Sequence, residues 1–376
     1  MKRLMLIGWT LLLTACVGIE ISEGVTPPAR YVSAVDWGLP AGVRPTEKDT
    51  VAPLYVALAR TTQTIHDTCY LFCPSQDTLL RPVPAGDYHA IAFGGPLDTF
   101  YRVDNFVPFF RDPSAVGLAD ISLLLPTEEV QASNAAAPSD PEDPLTLCTE
   151  YLRSNAYFPI VRQALPVWLA SDHRSLTGGE TNTFHFSMKK MLQVLTVNIR
   201  IDFDERQCEL QGLAIALNGV ARRLNLLNGS VYQGETVISS SVQSEIGTIL
   251  TKDLTLTRKS GLQHYYSCTV KTLGLFSPAN EADKEGWGIL EIAVKLKDKN
   301  VKSSKINLFR LLQDHPVLSR LGTDGEYRMA VSSATLNVPS YAYMSITPSS
   351  ELEDETALDV WIEGDDHELP IRPEDE

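Results

Sequence analysis

Apolar residues recur along this chain with a period of two rather than 3.6. Leu54, Val56 and Leu58 alternate with Tyr55, Ala57 and Ala59, and Leu195, Val197, Ile199, Ile201 and Phe203 alternate with Thr196, Asn198, Arg200 and Asp202. A third run sets Leu290, Ile292, Val294 and Leu296 against Glu291, Ala293, Lys295 and Lys297. Successive side chains of a strand point to opposite faces, so each run predicts a half-buried strand with one face for a core and one for water. Shorter runs at Tyr31 to Trp37, Asp87 to Phe93, Leu213 to Leu217, Leu254 to Thr257 and Tyr265 to Thr272 predict further strands, separated by Gly, Pro, Asn and Asp turns. That spacing predicts an all-β chain built as β-sandwiches. Helical signal is confined to two short pieces, Cys148 to Arg153 and Ser304 to Gln313, the second with Ile306, Phe309 and Leu312 at three-residue steps.

Between Pro126 and Pro144 the chain is rich in Pro, Ala, Ser, Asn and acid and has no apolar period, which predicts a long loop. The better break between domains is at Gly178-Gly179 and Asn182, before a strand that starts near Phe184, so the junction is expected around residues 180 to 186. A chain of 376 residues exceeds what one hydrophobic core usually serves. The expected organisation is an N-terminal sandwich over residues 30–183, a C-terminal sandwich over 184–349 and a tail over 350–376, each sandwich large enough for its own core.

The N-terminus reads as an export signal. Lys2 and Arg3 precede a nearly unbroken apolar run from Leu4 to Ala15, shorter than the roughly 20 residues a membrane-spanning helix requires. Leu13-Thr14-Ala15-Cys16 places small residues just before a cysteine, the pattern at which lipoprotein-processing enzymes acylate the thiol and cut in front of it. Residues 1–15 are therefore expected as signal peptide, Cys16 as the lipidation site, and 16–29 as a lipidated tether. Several palmitate-type chains on one residue anchor stably without any helix in lipid. Residue 17 is valine rather than aspartate, which by the rule for the position after the lipidated cysteine admits passage to the outer membrane. The lipid partner is thus outer-membrane lipid through Cys16.

Charge changes this picture in one place. The net charge is −15, which excludes nucleic acid as a partner. Residues 350–376 hold twelve acids against the single Arg372, a net of −11, and leave −4 for the rest. Inside that acidic tail Leu358, Val360 and Ile362 alternate with Asp359, Trp361 and Glu363, and Leu369 and Ile371 repeat the step. Apolar alternation within a charged segment predicts a strand that completes a sheet, in its own domain or in another subunit.

The residues show no catalytic constellation. There is no G-x-S-x-G, no phosphate-binding glycine loop and no H-E-x-x-H, and the seven histidines never fall two at i, i+4. His66, Cys69 and Cys73 have half of a zinc spacing with no second half, so neither metal nor cofactor is expected. Cys69, Cys73, Cys148, Cys208 and Cys268 are an odd set, read as buried thiols or one loop disulfide. Trp168, Trp287 and Trp361 are core residues on the plainer reading. If exposed along one face they would instead support a lipid-anchored glycan-binding protein, the alternative function.

The lipobox cysteine and four local stretches, in order within Arg30 to Ser349, resemble one family: Val35-Asp36-Trp37 at the end of an early strand; Val83-Pro84-Ala85-Gly86-Asp87-Tyr88; Leu217-Asn218-Gly219-Val220-Ala221; and Thr272-Leu273-Gly274-Leu275-Phe276. The chain is similar to the fimbrial-anchor lipoproteins of type V (fimbrillin-type) fimbriae, in an uncharacterised branch. The resemblance implies two transthyretin-like β-sandwiches in tandem, with lipid at the N-terminus, serving as a base for shaft subunits in cell adhesion. It implies no catalysis, and assembly by strand exchange with a fimbrial shaft subunit, for which Leu358, Val360 and Ile362 form the candidate donor strand. Gly86 and Gly219 in these stretches are expected at φ > 0, with Tyr88 turned into the sandwich.

Overall fold

A computed structural model describes residues 27–38, 54–61, 66–72, 81–96, 100–105, 120–128, 143–206, 209–232, 245–276, 288–297, 300–308, 318–321, 327–328, 333–337, 342–348 and 356–362. The signal segment, Cys16, most of the 126–144 loop, Cys73, Cys208, Trp287, Leu369 and Ile371 lie outside these.

The described chain is all-β apart from one helix of any length. Its first half runs β1 (Ala29–Asp36), β2 (Leu54–Thr61), β3 (His66–Phe72), β4 (Arg81–Val83), β5 (Gly86–Gly94), β6 (Arg102–Asp104), β7 (Ser122–Leu124), helix α1 (Pro144–Ser154), β8 (Val167–Leu176), β9 (Thr181–Ser187) and β10 (Lys189–Met191). Then follow β11 (Gln193–Phe203), β12 (Leu210–Ala221), β13 (Arg223–Asn225), β14 (Ser230–Tyr232), β15 (Ile246–Thr251), β16 (Thr255–Ser260), β17 (Gln263–Thr272) and β18 (Leu275–Phe276). The last are β19 (Ile289–Leu296), β20 (Val301–Asn307), β21 (Leu318–Leu321), β22 (Tyr327–Arg328), β23 (Ser333–Asn337), β24 (Ala342–Pro348) and β25 (Thr356–Ile362).

Two sheets belong to the first half. One has the order β4-β1-β9, with β1 and β9 parallel from Arg30↔Thr181 to Asp36↔Ser187, and the other has the order β10-β8-β5-β2-β3. The second half forms a sheet β16-β17-β11-β24-β25, with β23 also on β11, and a larger sheet β14-β22-β21-β18-β12-β19-β20, with β15 also on β12. A small sheet β13-β7-β6 joins strands of both halves. The expected junction at residues 180–186 falls on β9, whose Phe184 and Phe186 pack with Tyr31, Leu58 and Tyr88.

A larger core gathers Tyr55, Ile91 and Phe93 with Val197, Ile199, Ile215, Leu217, Ile292 and Val294. The sheet of β2 and β5 therefore has one face in each core: Val56, Leu58 and Tyr88 in the first, Tyr55, Ala57 and Ile91 in the second.

This layering corrects two of the three half-buried strands. β11 alternates buried and half-buried residues throughout, as its sequence predicts. β2 is buried on both faces over Leu54 to Ala59, because the larger core takes Tyr55, Ala57 and Ala59, the side expected to meet water. β19 likewise buries Glu291 and Ala293, which lie under α1. The expected helix over Ser304 to Gln313 is corrected over its first four residues, and its Phe309 to Gln313 part lies outside the described residues. Residues 301–307 are strand, paired with β19 from Ile289↔Asn307 to Lys295↔Val301, and seven ladder positions outweigh a short amphipathic period.

The other predicted helix forms. Asp143 caps it, accepting from the Thr146 amide at 3.0 Å and the Thr146 hydroxyl at 2.8 Å, and Pro144 follows at the first helical turn. Cys148 and Leu152 face Ala214, Ala216 and Ala293, so small residues on β12 and β19 let the helix lie close. Gly212 takes this furthest: a Cβ there would sit 2.6 Å from the Pro144 carbonyl oxygen. Gly86 and Gly219 adopt φ 148° and 83° as expected. Tyr88 is buried and donates its hydroxyl to the Pro84 carbonyl at 2.9 Å. Gly219 lies at a bulge between Asn218 and Val220. The Asn218 side chain accepts from Thr248 Oγ1 at 2.6 Å and donates to the Ile289 carbonyl at 3.2 Å, tying β12 to β15 and β19.

Candidate subunit interface

The tail strand is built into the structure. β25 pairs antiparallel with β24 over seven positions, with Ile362 opposite Ala342, Val360 opposite Met344 and Leu358 opposite Ile346. β24 meets the body through fewer, pairing parallel with β11 at Ile201↔Met344, Asp202↔Ser345 and Phe203↔Ile346. The first half of that same β11 edge is taken by β23, from Val194↔Ser333 to Asn198↔Asn337. The final hairpin is thus bound to itself along its length and to the rest of the sheet over a short stretch, and β25 is the last strand of that sheet.

The opposite edge is β16, every residue of which is exposed. Its hairpin to β17 turns on Gly261 at φ 60°, the conformation a two-residue loop of this kind demands. Arg258 lies 5.4 Å over the Tyr265 ring and Lys259 pairs with Glu205. Glu205 also meets Nε2 of His264, a ring that is 1% exposed, stacks 4.0 Å from Phe203 and holds Nδ1 3.0 Å from the Leu262 carbonyl. Hydrogen bonds from Lys259 and His264 hold the Glu205 carboxyl below the usual range. Sequence reasoning marked only Leu254 to Thr257 here and passed over Arg258 and Lys259, although the basic pair before Gly261 was in view.

Other candidates take ordinary places. Trp168 is buried and meets Trp37 edge-on, with ring centroids 5.5 Å apart, so it forms no part of an exposed aromatic platform. Side chains of β3, with His66 and Cys69, and of β25, with Trp361, lie outside the described residues. His89 and His173 sit opposite each other on β5 and β8, 4.4 Å between rings, and no group of three metal-binding side chains occurs among the described residues. Cys148 and Cys268 are buried free thiols, and burial pushes both up to about 12, far from the thiolate a nucleophile needs. Among the described residues no helix is long and apolar enough to cross a membrane.

Several solved structures are similar in fold. They include a candidate adhesin from Bacteroides thetaiotaomicron, at 9% identity and a TM-score of 0.46, covering 85% of this chain and 92% of that one. The fimbrial anchor protein Mfa2 from Porphyromonas gingivalis is 10% identical with a TM-score of 0.43, covering 90% of this chain and 98% of that one. A candidate polysaccharide-binding protein from Bacteroides thetaiotaomicron is 12% identical with a TM-score of 0.44, covering 86% and 92%. No family model matches the sequence, and no curated protein matches it.

Proposed function

We propose that this chain is a non-catalytic accessory or anchor subunit of a surface fimbria, acting in cell adhesion and fimbrial assembly. The observation that carries the reading is β25: an apolar, period-two strand inside an acidic tail, added to the edge of a sheet by main-chain pairing with β24. A strand paired by its backbone at a sheet edge can be given to, or replaced by, a strand of another subunit. The type V anchor resemblance supplies the partner, a fimbrial shaft subunit, and the exchange mode, with Leu358, Val360 and Ile362 as the donated face. In this reading acyl chains on Cys16 hold the protein to the outer membrane at the cell surface, and residues 16–29 are the tether. Two transthyretin-like sandwiches follow, the first passing to the second near β9.

Deleting residues 351–376 and crosslinking intact cells tests the tail. Loss of a co-purified fimbrillin-like subunit is expected, and undiminished capture would overturn the role given to β25. Mass spectrometry of the mature chain tests the anchor, which requires an acylated residue 16 at the new N-terminus. The glycan-binding alternative has lost Trp168 as a stacking surface. It would return if polysaccharide retained the full chain while crosslinking brought down no fimbrial subunit.

A further inference from the structure

The sheet that ends in the tail strand has a second edge with the opposite charge. β16 reads Thr255-Leu256-Thr257-Arg258-Lys259-Ser260, with two cations and no acid, and no described strand pairs with its outer side. An edge strand offers a row of amide and carbonyl groups to any extended segment that fits it. Leu256 and Leu262, at 47% and 57% exposure, are the exposed large hydrophobics of the described residues, and both belong to this hairpin. Exposed apolar side chains gathered at one open edge mark it for a partner.

We propose that the β16 edge is a docking site for the tail strand, residues 356–362, of a second copy of this chain. The claim rests on reading the tail as an assembly strand, and it adds an acceptor for that strand. Three observations choose this occupant. The tail is an extended segment whose apolar residues alternate, the form a strand-addition site takes. Acids on both sides of it bring residues 350–376 to a net charge of −11, the strand itself holding Asp359, and Arg258 and Lys259 are the complement to that charge. The two strands are also the opposite edges of one sheet, so joining the β25 edge of one copy to the β16 edge of the next continues the sheet head to tail.

Cations and a bulge on an edge ordinarily discourage pairing, and β16 has both, with a register shift between Leu256 and Arg258. Against an apolar or basic strand these two charges repel or strand a cation. Toward a strand flanked by acids they attract, so the same residues select rather than merely block. Glu205 opposes this by engaging Lys259, and Asp204 and Asp253 lie in the flanking turns, which leaves Arg258 as the cation least committed to an acid.

The test titrates a fluorescent peptide of residues 350–376 with the full chain and reads anisotropy. Saturable binding is expected, weakening as salt is raised and falling at least tenfold in the variant Arg258→Glu with Lys259→Glu. A peptide with Leu358, Val360 and Ile362 changed to Ser should lose affinity to a similar degree. Circular dichroism on the double variant checks its fold. Amide exchange at residues 255–260 of the unchanged protein gives a second reading, with slower exchange expected when peptide is added. Equal binding of a scrambled peptide, equal binding by the charge-reversed variant, or no slowing at 255–260 would overturn the assignment. If the peptide fails while tail deletion still abolishes capture of a fimbrial subunit, the β16 site alone falls. If the deletion leaves capture intact, the proposed function falls with it.

Discussion

Tyr101 illustrates how one side chain joins distant segments. Its hydroxyl donates to the Leu165 carbonyl at 2.5 Å and accepts from the Leu165 amide at 3.0 Å, satisfying both backbone groups of that half-buried residue. Burial raises its phenol well above the ordinary range, which keeps the donor in place at any physiological pH. Tyr101→Phe strands both Leu165 groups, and urea unfolding should show a loss of about 1–3 kcal/mol. The thiols make the reverse case. Cys148 and Cys268 are held up to about 12 by burial, so iodoacetamide at pH 8 should leave the peptides containing them unmodified until denaturant is added, as mass mapping would show. The Tyr101 bond was not legible in the sequence, because it depends on which segment covers the residue, whereas buried thiols were one of the two readings of the cysteines and Cys148 and Cys268 take it. Gly86 and Tyr88 were legible, since a proline-glycine turn entering a strand dictates the backbone within a few residues.

Elements differ in how far their own pattern governs them. β11 kept its predicted alternation because solvent lies on one of its faces, whereas β2 and β19 acquired a second covering layer that their alternation could not announce. The step from β12 to α1 shows the layer's demand on sequence. Gly212→Ala would drive a Cβ toward the Pro144 carbonyl, so helix or strand must shift, and thermal or urea unfolding should report a loss of about 1–3 kcal/mol. The final hairpin shows the opposite extreme, joined to β11 at three paired positions. Its amides at 356–362 are expected to exchange with deuterium sooner than those of β11, where both neighbours pair over most of its length. Equal protection of the two would mean the hairpin opens only with global unfolding, and would count against a strand poised for transfer.

Over the whole molecule, the two cores share the sheet of β2 and β5, one face each, and α1 from the first half lies on β12 and β19 of the second. Loosening either core exposes the other side of the same strands, so the halves should unfold together. Far-UV circular dichroism and tryptophan fluorescence should then give coincident transitions, and separate midpoints would show that each half stands alone. The sequence alone determined the all-β class, the position of strands such as β1, β2, β5, β11, β12, β17 and β19, the helix α1 and the turns at Gly86 and Gly219, because strand period, capping and left-handed glycines act over a few residues. Only the tertiary structure decided which faces are covered, that residues 301–307 extend rather than coil, and that the basic strand β16 and the tail strand β25 are the two edges of the same sheet. Those outcomes rest on contacts between segments far apart in the chain, where the layer that removes water from a face is supplied by residues its own sequence does not contain.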